Sequence, residues 1–158
     1  MIPTTPALDH GLAKALRQRR AELRESMDAL EAALAAPALE SQVRWRQRVH
    51  GALTDLSAGF QDHVGITEGP DGLYDELRTK APRLTHSVDR LGQEHEAIAE
   101  LLGALLARTG PDAEGEAEGA AELIREQGTT LLGLLVRHRQ RGADLVFEAY
   151  EFDIGGET

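Results

Sequence analysis

The sequence predicts an all-α protein: an antiparallel up-down-up-down four-helix bundle with a short extra helix between its second and third long helices. Three observations lead there. Apolar residues recur at the three-, four- and seven-residue steps of an amphipathic helix in four long segments, at about residues 8–36, 42–64, 82–108 and 120–152. No segment alternates polar and apolar residues as a half-buried strand does. With only three Phe, two Tyr and one Trp, the core must be built mostly from Leu, Val, Ile and Ala, a composition that suits helices. Such helices bury their stripes only against each other. At ~1.5 Å rise per residue they would be roughly 35–45 Å long. A coiled-coil tether is disfavoured because no strict seven-residue repeat persists.

The first helix carries Leu12, Leu16, Leu23, Met27, Leu30 and Leu34. Pro37 stops it, and Ser41 is placed to cap the next. The second has the stripe Trp45, Val49, Leu53, Leu56 and Phe60, followed by GITEGPDG, a loop by its glycines and proline. LYDELRTK is the short helix, at about residues 73–80. Pro82 suits the first turn of the third long helix, whose stripe is Leu84, Val88, Leu91, Ala99, Leu102 and Leu106. TGPDAEGEAEG is a flexible acidic connection. The last helix places Leu131, Leu134, Leu145 and Ala149 on one side, and DIGGET ends the chain with a Gly-Gly stop. Residues 1–158 read as a single domain.

Charge and composition exclude several classes of function. The chain has 27 acidic and 17 basic residues and a net charge of −10, the wrong sign for a nucleic-acid partner. No apolar run approaches the ~20 residues of a membrane span. The N-terminal MIPTTPALDH lacks the basic and apolar regions of a signal peptide, so a cytoplasmic location is expected. There is no cysteine, so any metal must be held by imidazole and carboxylate, which favours iron, zinc or manganese.

The six histidines can be sorted by helical position, at roughly 100° per residue. His63 follows Leu56 by seven residues and Phe60 by three. His95 follows Val88 by seven and Leu91 by four. His138 follows Leu131 by seven and Leu134 by four. All three face the core, each from a different long helix. His86 falls opposite His95, His50 lies off its stripe, and His10 lies at the ragged start of the first helix. A lone inward histidine is most simply a core residue with an ordinary hydrogen bond. Three would each need a polar partner in an apolar interior, and one shared metal would satisfy them together. Glu68, five residues after His63, is a candidate carboxylate ligand or else a surface charge on the loop. Counting from the helix ends leaves His95 and His138 several residues apart in height unless the acidic connection absorbs the difference.

HVGITEGP (His63 to Pro70), LGQEHEAIAELLGALL (Leu91 to Leu106) and HRQRGADLVF (His138 to Phe147) resemble, in order and spacing, segments of the hemerythrin-like (HHE cation-binding) family. The block RGADLVFEAY followed by DIGG resembles most an actinobacterial variant of it. The resemblance runs from about Arg20 to Gly156. It implies a four-helix bundle with a non-haem di-iron centre, held by five histidines and two bridging carboxylates and open to dioxygen or a similar small ligand. Relatives act in oxygen binding, peroxide or nitric oxide handling, iron–sulfur repair and iron sensing.

The chain departs from that pattern. Gly142 and Ala143 stand where the family has carboxylates after its last histidine, and Asp144 points away from His138 on a regular helix. Thr67 takes the first carboxylate position and only Glu68 is kept. Leu91 stands where a second histidine often sits. Where the family's first-helix histidine would fall there is none; Arg19 or Arg20 stands there instead, and an arginine on that face could pair with Glu68, bind an anion or reach solvent. The matched metal set is therefore His63, Glu68, His95 and His138. It suits non-haem iron, mono- or dinuclear, with a small gaseous or redox ligand (dioxygen, peroxide or nitric oxide). Two other readings stay open: a degenerate, metal-free helical module that binds a protein partner or small molecule, and an enzyme whose pocket uses Tyr74, Arg20 or Glu148. Gly142 either leaves space beside His138 or allows close helix packing. Phe147, Tyr150, Phe152 and Ile154 either pack on LYDELRTK or form a homodimer patch.

Overall fold

The computed structural model describes residues 10–38, 41–111, 113 and 119–152. Within them the chain forms α1 (His10–Ala35), α2 (Gln42–Glu68), the short α3 (Leu73–Lys80), a single 3₁₀ turn (Pro82–Leu84), α4 (Thr85–Thr109) and α5 (Ala120–Phe147). A π-helical turn (Glu148–Phe152) follows. There is no strand among the described residues. α1 packs on α2, α2 on α4, α4 on α5 and α5 back on α1, which closes the ring of an all-α four-helix bundle. The Gly-Gly stop, Ile154 and most of the acidic connection lie outside the described residues, as does the first turn expected from residue 8.

Local chemistry sets the helix ends. Ser41 caps α2 by accepting the Arg44 N–H at 3.2 Å. Trp45 donates its indole N–H to the Ala33 carbonyl at 3.0 Å. Arg125 lies over the Trp45 ring, its guanidinium carbon 4.6 Å from the ring centroid, and donates to the Leu34 carbonyl at 3.1 Å. These two side chains, from α2 and α5, satisfy carbonyls that the end of α1 leaves open.

α2 runs to Glu68, four residues past the position 64 that the loop-like GITEGPDG suggested. The Thr67 hydroxyl donates to the His63 carbonyl at 2.8 Å and so supports the last turn. Gly69 ends the helix through its N–H to the Gly65 carbonyl, and a Cβ at Gly69 would overlap that same carbonyl. The extra turn matters because it places Thr67 and Glu68 on a regular helix beside His63.

The buried stripes differ from the expected ones by single steps. α4 buries Ile98 and Leu105 in place of Ala99 and Leu106, and α5 buries Leu135 more deeply than Leu134. Leu12 and Leu16 are only half-buried.

The core is divided in two. The larger apolar cluster is built on Leu23, Leu30, Leu53, Leu56, Phe60, Ile98, Leu105, Leu131 and Leu135. The smaller joins Leu73, Tyr74 and Leu77 of α3 to Val88, Leu91, Leu145, Ala149 and Tyr150. Each fully buried leucine contributes roughly 1.5–3 kcal/mol. Along α4, Leu91 lies in the smaller cluster and Ile98 in the larger, with His95 between them. Along α5, His138 lies between Leu135 and Leu145 in the same way. A polar layer thus separates two dry ones.

Candidate metal centre

Three helices supply that polar layer: His63 from α2, His95 from α4 and His138 from α5. His95 and His138 are 3% and 2% exposed, and His63 is half-buried. The structure brings all three to one level. Nε2 of His138 lies 3.1 Å from Nε2 of His63 and 3.0 Å from Nε2 of His95. One ligating nitrogen from each ring falls within 4.8 Å of the others, and among the described residues no other group of three or more metal-ligating side chains comes together this way. Phe60 stacks on His63, and Tyr74 of α3 stacks on His95 with ring centroids 5.6 Å apart, so aromatic faces hold the imidazoles in place.

Carboxylates fix which nitrogens meet. Glu68 Oε1 lies 3.0 Å from Nδ1 of His95, and Glu94 Oε1 lies 3.0 Å from Nδ1 of His138. A carboxylate only accepts, so each Nδ1 carries the proton. In a neutral ring the Nε2 is then a bare lone pair. Burial is the main reason all three rings resist protonation. It lowers His63 to about 3, helped by the neighbouring His95 and His138, and lowers His95 to about 4, helped by His138. His138 is lowered too, although its hydrogen bond to Glu94 pulls the other way. At neutral pH, therefore, the Nε2 lone pairs of His95 and His138 face each other at 3.0 Å, an arrangement that a cation bound to both would suit. Metal–nitrogen bonds of ~2.1 Å at right angles place two nitrogens about 3.0 Å apart, so both measured edges suit a metal.

Other expected residues take different places. Glu68 sits on the outer side of the His95 ring, away from the converging nitrogens, with its side chain 40% exposed. Gly92 makes room for it: a Cβ there would lie 3.2 Å from Glu68 Oε1. Leu91 is buried in the smaller cluster. Asp144 accepts from Gln140 at 2.8 Å on the exposed face of α5, and Glu148 pairs with Arg83 at 3.3 Å, also on the surface. Neither joins the site. Tyr74 does, with its hydroxyl 3.2 Å from Nε2 of His95. His10 and His86 are exposed, and His50 bonds Thr109 at 2.9 Å.

Arg19 pairs with Glu22 and Asp62, whereas Arg20 lines a cavity of about 40 Å³ that reaches His63 and His138. Gly142 lines the same cavity, and a Cβ built there meets nothing within 4 Å, so close helix packing does not account for this glycine and the space beside it is open. Tyr150 packs with α3 residues in the smaller cluster, while Phe147 is 60% exposed.

Glu94 was not singled out from the sequence. As the residue before His95 it lies about 100° around α4, which aims it at α5 and not at the core. There it orients His138 and also pairs with Arg141. The signal was its position beside an inward histidine on the side of the neighbouring helix.

Among known families, a model of the hemerythrin HHE cation binding domain matches residues 11–150. Comparison with curated proteins and with solved structures finds no match.

Proposed function

Because the chain belongs to the hemerythrin HHE cation-binding domain family, we propose that it holds one non-haem iron on the Nε2 atoms of His63, His95 and His138. In this reading it offers the iron to a small redox-active ligand (dioxygen, peroxide or nitric oxide) in binding, sensing or stress response. The observation that carries the reading is the meeting of two carboxylate-oriented, unprotonated imidazole nitrogens at 3.0 Å. A single cluster of donors among the described residues favours one metal over two.

Bound iron would supply a redox-active centre with positions open to a small ligand. The protein's part is orientation and shielding. Glu68 and Glu94 hold His95 and His138 in the Nδ1–H tautomer and raise the basicity of the opposite nitrogens. Arg141 fixes Glu94 from the solvent side. Phe60 and the apolar clusters above and below shield the rings on those sides. The Tyr74 hydroxyl, held beside His95, is the one O–H donor aimed at this centre by α3, and burial raises its pKa, so it keeps its proton. Glu68 belongs to the site as the partner of His95.

The absence of a carboxylate among the converging atoms favours a second reading, a metal-free bundle in which the histidines are core residues and function lies in a bound partner or small molecule. Cobalt(II) or iron(II) titration followed by visible spectroscopy separates the two. The first reading expects one equivalent bound by the wild type and loss of binding in His138→Ala. No helix among the described residues is long and apolar enough to cross a membrane. A cytoplasmic location and a homodimer through the face that exposes Phe147 complete the proposal.

A further inference from the structure

The cavity beside His63 and His138 is bounded by α1, α2, α3 and α5, and its walls differ in charge from the protein as a whole. The chain as a whole carries a net charge of −10, yet no aspartate or glutamate lines this space, while Arg19, Arg20 and Arg139 do. Arg19 is engaged by Glu22 and Asp62. Arg139 enters from α5, next to His138, and its Nε–H is buried without a hydrogen-bond partner. A buried donor on a charged group that is left unmet is costly, and it is met when an acceptor arrives. Gly142 is part of the wall, and a side chain built there would enter open space, since its Cβ would touch nothing within 4 Å.

We propose that this cavity is a subsite for a small anion, held between the Arg20 and Arg139 guanidinium groups beside His63 and His138. The inference deepens the metal-centre reading by giving the charge of its small ligand, and it rests on that reading only for what the anion would reach. The volume of about 40 Å³ sets the size. One water needs roughly 10–15 Å³ on this measure, so the space admits an anion of about two to four heavy atoms and no organic substrate of ordinary size. Azide, nitrite and the superoxide or hydroperoxide anions belong to this class. The fixed fork of guanidinium donors matches such ions. On an acidic protein the arginines also decide selectivity, because the long-range field repels anions and only a local pair of cations reverses it.

The test follows the Arg139 Nε–H resonance by nitrogen-15 NMR during titration with azide, in metal-free and in cobalt(II)-loaded protein. Cobalt affinity is read separately from the visible spectrum. The Arg139 signal should move and saturate, and Arg20→Gln should weaken azide by about tenfold or more, the loss typical of removing one charged donor. Gly142→Val, which fills the space and leaves both charges, should abolish the shift. Cobalt binding should persist in each variant. Absence of a saturable shift in both forms, or equal azide affinity in wild type and Arg20→Gln, would overturn the subsite. Failure to bind cobalt while the azide shift survives would instead remove the metal reading and leave the anion site standing.

Discussion

Nε2 of His95 lies 3.0 Å from Nε2 of His138, and each ring has already given its other nitrogen to a carboxylate, Glu68 for one and Glu94 for the other. Two lone pairs pointed at each other between two apolar layers are held by the rest of the fold, not by their own attraction. That geometry is what the proposed metal would relieve.

The carboxylates behind the rings should matter almost as much as the rings. Glu94→Gln removes the carboxylate charge that faces Nδ1 of His138 and the ion pair to Arg141. Metal affinity by titration calorimetry should fall about 10–100-fold, with Glu68→Gln giving a similar loss through His95. Unchanged affinity in both would mean that these carboxylates do not orient the ligands.

Acid should destabilise the metal-free protein through this layer. His63 and His95 titrate at about 3 and about 4 in the folded chain, against 6.5 unfolded. Below pH 6.5 the unfolded chain therefore binds protons that the folded chain refuses, so stability falls as the pH drops from 6.5 toward 3. At 1.36 kcal/mol per pKa unit, His95 alone accounts for roughly 3 kcal/mol. Urea melts at pH 7.5 and pH 4.5 should show a lower midpoint in acid, with a smaller drop in His63→Gln. A variant that loses as much stability as the wild type would place the acid sensitivity elsewhere.

Two glycines on α5 should respond oppositely to alanine. At Gly142 the added methyl enters open space and the helix gains up to about 1 kcal/mol. At Gly128 the methyl collides with the Leu34 side chain, which is buried in the larger cluster, so core repacking offsets or exceeds that gain. Thermal melts should rise for Gly142→Ala and stay level or fall for Gly128→Ala. A fall at Gly142 would show that the site needs its space for stability.

The face of each helix was legible in the sequence, because a seven-residue step returns to the same side whatever the neighbours are. His63, His95 and His138 were found that way. Adjacent apolar pairs were not resolved, since Leu134 and Leu135 both satisfy the spacing and only packing selects the deeper one. Relative height was not legible either. It depends on where each helix ends and how it packs on its neighbour, and the sequence left His95 and His138 several residues apart where the structure makes them touch. The glycines of GITEGPDG read as a loop around Glu68, but the Thr67 hydroxyl bond to the His63 carbonyl supports the helix to Glu68. Glu94 has its partner on another helix, which no local spacing encodes.

The most direct measurement is the metal content of tag-free protein purified after growth with added iron, by plasma mass spectrometry, with the same measurement on His138→Ala. The account predicts about one metal per wild-type chain and a large loss in the variant. Wild-type protein that stays metal-free after iron loading would contradict it, and His138 would then be a core histidine in an inherited pocket.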